Sequence, residues 1–248
     1  MMRYFFPYIV FLFVLSVACQ PKEQAKQDII IAEEQSKPSV IAAVVPPVSA
    51  LEQNLIDAGM VCVDDMDSTI RIELKYGTTD NFTGTVLYDS LRRAYLHPLA
   101  ARKLLEAQRL LKEKHPELSL LVYDAARPVS VQKKMYEKVQ NTKFRKYVAN
   151  PNRTGLHNYG MAVDLTICDK QGTPLDMGTL FDYFGRAAGI SEEDALIGAN
   201  ILNKSQVDGR RILRNIMQKA GFFTIRGEWW HFNAISLSEA KSGFSVLK

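Results

Sequence analysis

The chain has 248 residues, 47% of them hydrophobic and 23% charged, with a formal net charge of +4 at pH 7. That length allows one or two domains. So small a surplus, without a dense Lys/Arg stripe interleaved with aromatics, argues against a nucleic-acid partner.

The first fifty residues differ from the rest. Met1 to Ala18 has a short polar start with Arg3, an apolar run from Tyr4 to Val17, and small residues before Cys19. This predicts a signal peptide over residues 1–18, because the run is short for a membrane-spanning helix. Ser16-Val17-Ala18-Cys19 resembles a bacterial lipobox, with Ser16 where leucine is usual. The expectation is an exported lipoprotein of the bacterial periplasm or outer envelope, attached to a membrane through lipidated Cys19. Plain secretion and an uncleaved anchor are the alternatives. Residues 19–50 carry KEQAKQ and EEQSK without sustained periodicity, which predicts a flexible tether of about 30 residues. Residues 51–248 are then a single domain, long enough for one good core. An exported compartment permits a Cys62–Cys168 disulfide, and two buried free thiols fit equally well.

Within the domain, Val61 to Tyr76 alternates in places and predicts a strand with Ile70, Ile72 and Leu74 on one face. DNFTG, Asp80 to Gly84, is a loop that either rims a pocket or simply turns. Pro98 suits the first turn of a helix running to Lys114, with Leu104, Leu105, Leu110 and Leu111 on its apolar side and His115-Pro116 as its stop. Leu118 to Tyr123 reads as a buried strand. Ser130 caps a helix with Val131, Met135, Tyr136 and Val139 inward. Met161 to Ile167 is a strand followed by a turn at Gly172-Thr173. Ile212 to Ala220 is a helix stopped by Gly221. Phe222 to Ile225 and Trp229 to Phe232 form a closing hairpin around Arg226-Gly227. Mixed strands and helices with short turns favour α+β over a doubly wound parallel sheet.

Two segments carry chemistry: TGLHNYGMAVD, with His157 and Asp164, and GEWWH, with Glu228 and His231. Two imidazoles and one carboxylate hold a zinc ion while leaving a position open, the ligand count of a catalytic site. A turn through Asn158-Tyr159-Gly160 would put His157 and Asp164 on one side. Glu228 and His231, three apart, face opposite sides of a regular strand, so a bend or strand end must bring them together. Singly, each has an ordinary structural reading: a buried acid, a turn histidine, a packed core histidine, an exposed loop acid.

TGLHNYGMAVD resembles the SxHxxGxAxD signature of the zinc D-Ala-D-Ala dipeptidases of the VanX type, relatives of the zinc D,D-carboxypeptidases and of Hedgehog-like folds. EWWH resembles their ExxH motif, and KYGTTDNFTG, VYDAARP, LDMGTLFDYFG and RRILRNIMQKAGF follow in the family's order. The resemblance covers roughly residues 60–235. It implies a Hedgehog/D,D-peptidase-like α+β fold, a single catalytic domain with a central antiparallel sheet flanked by helices. It implies one Zn2+ per chain on His157, Asp164 and His231, Glu228 as catalytic base, and Arg127 as the group that stabilises the transition state. Arg127 could instead form a surface salt bridge with Asp124. Asp124, Asp182 and Thr154 are the substrate-binding candidates. Asp182 alternatively caps a helix after Gly178-Thr179. Gly155 stands where the family has serine, and Ala126 where it often has an aromatic. The implied substrate is a small D-amino-acid dipeptide, D-alanyl-D-alanine. The competing readings are a D,D-carboxypeptidase trimming longer peptidoglycan-derived peptides, and a wall-binding lipoprotein without turnover.

Overall fold

The computed structural model describes residues 48–89, 91–148 and 150–248. The expected signal peptide, Cys19 and most of the expected tether lie outside the described residues. Val48–Lys248 forms one compact unit. It begins slightly before the expected boundary, because Ser49 caps helix α1 (Ala50–Asp57) by accepting from Glu52 N–H at 3.1 Å.

The strand expected over Val61 to Tyr76 is divided. Strand β1 (Val61–Cys62) is followed by a single helical turn, α2 (Val63–Met66), then β2 (Arg71–Ile72) and a 3-10 turn at Lys75–Gly77. Asp67 accepts from both the backbone and hydroxyl of Thr69, while Asp64 and Asp65 pair with Arg93. These local side-chain bonds offer the backbone an alternative to a continuous ladder. Strand β3 (Tyr95–Leu96) pairs antiparallel with β1.

Helix α3 (Pro98–Lys114) starts as expected, and His97 Nδ1 accepts from Leu99 N–H as its cap. Leu104 and Leu111 are fully buried on its inner face. Buried Gln108 accepts from Leu120 N–H at 2.9 Å and donates to Thr69, tying the helix to both neighbouring segments. Strand β4 (Ser119–Asp124) is buried throughout. Helix α4 (Val129–Val139) begins ahead of the expected cap. Pro128 is the capping residue, its carbonyl accepting from Val131 and Gln132, and Ser130 lies inside the first turn.

A 3-10 turn at Leu156–Tyr159 leads into β5 (Ala162–Cys168) through Gly160 at φ +64°. A Cβ there would come within 2.9 Å of His97 N and 2.6 Å of Met60 Sδ, so both conformation and space demand glycine. After helix α5 (Glu193–Gly198), helix α6 runs over Lys204–Lys219, eight residues earlier than expected. Its start is fixed by a reciprocal Asn203/Gln206 capping box. It packs against α3. Gly221 at φ +90° ends it, and β6 (Phe223–Thr224) and β7 (His231–Asn233) form the closing hairpin before α7 (Leu237–Gly243).

The main sheet has the order β2-β4-β5-β7-β6. It is antiparallel except where β2 joins β4 in parallel at the edge. Val163, Leu165 and Ile167 of β5 point into the main core. Asp164, Thr166 and Cys168 therefore share the other face, since side chains alternate along a strand. Cys62 and Cys168 are both buried free thiols.

Candidate metal centre

His157 sits on the 3-10 turn, Asp164 is the third residue of β5, and His231 opens β7. Asp164 and His231 are direct cross-strand partners, which puts their side chains on one face within reach of each other. His231 Nδ1 lies 2.8 Å from Asp164 Oδ1. His157 Nε2 lies 3.3 Å from His231 Nδ1 and 3.4 Å from Asp164 Oδ2. The three donor atoms fall within 4.8 Å of one another.

The hydrogen bonds on the far sides of the rings orient their inner nitrogens. His157 Nδ1 is 2.7 Å from the Ala125 carbonyl, which only accepts, so Nδ1 carries the proton and Nε2 a lone pair. His231 Nε2 is 2.8 Å from Asn233 Oδ1 and its Nδ1 is 2.8 Å from Asp164 Oδ1, so both nitrogens face acceptors and the ring is held protonated until a cation takes the place of the Nδ1 proton. With that proton displaced, two imidazole nitrogens and a carboxylate face a single point. Such an arrangement is stabilised by a cation there, and the outer hydrogen bonds are those that orient metal-ligating histidines. Burial alone would raise the Asp164 pKa. The two histidines overcome that and hold its carboxyl far below the usual range. Burial would lower the His231 pKa, but the Asp164 contact leaves it raised.

The three-residue spacing of Glu228 and His231 is resolved because β7 starts only at His231. Trp229 and Trp230 form a bend outside the ladder, and Glu228 turns into the same cavity of about 340 Å3 that holds the triad. Burial, then the charge of Asp164, pushes the Glu228 pKa up.

Arg127 also lines this cavity and is buried, not at the surface. Its Nε donates to Asp124 Oδ2 at 2.9 Å, its Nη2 donates to the same carboxylate, and Nη1 donates to Gln132 Oε1 at 3.0 Å. The guanidinium lies 3.8 Å from Asp164 Oδ2 and 5.0 Å from the centre of the Tyr76 ring. Asp124 has no exposed surface and takes a further bond from the Tyr88 hydroxyl. Enclosed in this way, it positions Arg127 and does not reach the cavity, contrary to the expectation that it binds substrate. A shift of register between Val122 and Asp124 marks a bulge, which re-aims the end of β4.

Asp182 reaches the same cavity from a turn, with φ +58°. The first helical element after Gly178-Thr179 is the 3-10 turn Arg186–Ala188, whose cap is Gly185, so Asp182 does not cap it. The Tyr76 hydroxyl donates to its carboxylate at 3.0 Å. Burial and the charge of Asp164 hold its pKa well above the usual carboxylate range. Thr154 is not brought to the cavity; its hydroxyl pairs with Tyr159 at 2.9 Å. Gly155 does line the cavity, and a Cβ added there would meet nothing within 4 Å. Asp182 is also part of the wall of a larger cleft of about 750 Å3 over Tyr123, Phe181 and Trp229.

Sequence reasoning missed Tyr76, Gln132, Asn158 and Asn233. Asn233 stands two residues from His231 on a strand, so it shares that face, a signal available from spacing alone. Asn158 donates to the Arg127 carbonyl at 2.7 Å and accepts from Gly155 N–H, locking the His157 turn to the arginine segment. Tyr76 and Gln132 come from distant segments, and no local pattern marks them.

Three convergent donor atoms, a carboxyl with a raised pKa and a buried guanidinium in one cavity are the constitution of a metallohydrolase centre in an α+β domain. Comparison with known proteins agrees. A family model described as D-ala-D-ala dipeptidase (peptidase M15) matches residues 56–245, and the chain belongs to that family. It is 32% identical over 178 residues to the D-alanyl-D-alanine dipeptidase of Escherichia coli strain K12, covering 72% of this chain and 83% of the relative. It is 28% identical over 201 residues to the enzyme of that name from Enterococcus faecalis, covering 73% and 93%. For Enterococcus faecium the identity is 29% over 195 residues, covering 71% and 92%.

Proposed function

We propose that the protein hydrolyses D-alanyl-D-alanine to two D-alanines, with one zinc ion per chain on His157, Asp164 and His231. The observation that carries this reading is the meeting of three donor atoms beside Glu228 and Arg127 in one cavity. The names of the relatives support the substrate. Zinc at such a site supplies an acidified water and a polarised carbonyl.

The chain's own residues do the rest. Glu228 takes a proton from the attacking water and passes it to the leaving amine, and its raised pKa brings it closer to that exchange at neutral pH. Arg127, held by Asp124 and Gln132, offers N–H groups to the negative charge that develops on the substrate oxygen. Loss of one such donor typically costs about 10²–10³ in rate. Asp182, with Tyr76 bonded to it, meets the free amino terminus. An ammonium beside that carboxyl favours its ionised form, so the pair forms together on binding.

The test is the zinc-loaded protein on D-Ala-D-Ala and on its N-acetylated form, with metal analysis of His157→Ala and His231→Ala. Cleavage of the free dipeptide, at least ~10²-fold poorer cleavage of the blocked one, and metal loss in both variants are expected. Equal kcat/KM for the two substrates would replace the dipeptidase reading with a carboxypeptidase acting on longer peptides. Full zinc occupancy in either folded variant would remove that histidine from the ligand set.

A further inference from the structure

Glu228 and His231 are separated by two tryptophans, each of which touches the segment that leads to Asp182. The Trp229 indole N–H donates to Thr179 Oγ1 at 2.8 Å. The Trp230 ring meets Phe181 edge-on, with centroids 5.6 Å apart. The two indoles are perpendicular to each other, 5.3 Å apart, and both are buried. Thr179 and Phe181 alternate with Leu180, which is 84% exposed, so the segment turns its odd-numbered residues inward.

Asp182 needs such support. Its left-handed backbone is unfavourable for a residue with a Cβ and persists only where the surroundings impose it. Helix α6 holds the upstream part of the segment: Gln206 donates to Asp176 and Arg210 Nε donates to the Met177 carbonyl at 2.7 Å. Between Met177 and Asp182, the remaining grip comes from the tryptophans and from Tyr76 and Tyr123 against Phe181.

We propose that the tandem tryptophans, with Thr179 as their polar contact, are positioning residues that couple recognition of the substrate's amino terminus at Asp182 to the base and metal ligand on either side of them. This rests on the dipeptidase reading above. Geometry gives the reason: one short segment carries Glu228 and His231 at its ends and the clamp for Asp182 at its centre. A displacement of the Asp182 turn is then passed directly to the segment that carries both groups.

The discriminating experiment measures kcat and KM of the full-length, zinc-loaded protein for D-Ala-D-Ala and its N-acetylated form in wild type, Thr179→Val and Thr179→Ser. Thr179→Val keeps the side-chain shape and removes the acceptor. We expect it to reduce the preference for the free dipeptide about tenfold, the scale of one net hydrogen bond. The loss falls on the free substrate through KM, while zinc content and melting temperature stay near wild type and Thr179→Ser restores the preference. Should Thr179→Val fail to fold, Trp229→Phe removes the same bond and carries the same expectation. An active wild type with an unchanged preference in the variant overturns the coupling alone. A wild type that leaves D-Ala-D-Ala intact overturns the dipeptidase reading and this inference with it.

Discussion

Glu228 is the residue on which the proposed chemistry turns, and it is separable from the metal. It is absent from the donor cluster of His157, Asp164 and His231, so Glu228→Gln should leave zinc bound. The amide cannot accept a proton, and turnover should fall at least ~10²-fold. Metal content and kcat measured on the same sample check this; near-native kcat at full occupancy would assign the proton to another group. Arg127 shows why residue-level reading needs the fold. Its predicted pairing with Asp124 exists, yet burial beside Gln132 and Tyr76 makes it part of the cavity instead of a surface ion pair.

Among the elements, the turn Leu156–Tyr159 with Gly160 places the first histidine. Gly160→Ala would force a Cβ against the His97 amide and an unfavourable φ, costing more than about 1 kcal/mol of stability. Because the strain falls three residues from His157, weaker zinc binding should accompany it. Thermal melting with and without chelator, together with a zinc titration, reads both effects, and an unperturbed variant would show that the turn tolerates displacement. The same region shows what was legible in the sequence. The spacing of His157, Gly160 and Asp164 was enough to place a turn before a strand, and the long α3 was marked by Pro98 and His115 at its ends. The strand expected over Val61 to Tyr76 failed because Asp64, Asp65 and Asp67 bond locally and to Arg93, choices that hydrophobic periodicity does not register. The early start of α6 lay in the Asn203/Gln206 box, which precedes its apolar pattern. Asp124 and Thr154 were matched by position along the chain, and only packing shows that their polar groups are already engaged.

For the whole molecule, the reading of the first fifty residues remains a proposal: export, then attachment of the compact unit through lipid on Cys19. Among the described residues no helix is long and apolar enough to cross a membrane. Under this proposal, Cys19→Ala should release the protein from membranes or leave an unprocessed precursor. Fractionation and mass spectrometry decide it, and an unmodified Cys19 in a soluble protein would remove the anchor.

The spread of the proposed ligands along the chain has a consequence for folding. His157 and His231 are 74 residues apart, and β7 reaches β5 only after the long segment between them has folded back. A metal bridging them closes that loop as a covalent cross-link would, and cross-links of such length contribute on the order of 4 kcal/mol through the unfolded state. Cys62 and Cys168 supply no such staple, since both thiols are free. Zinc supply would thus govern how much folded protein exists as well as how fast it turns over. In metal-poor surroundings, clearance of the unfolded chain would then reduce activity before any vacant active site accumulated.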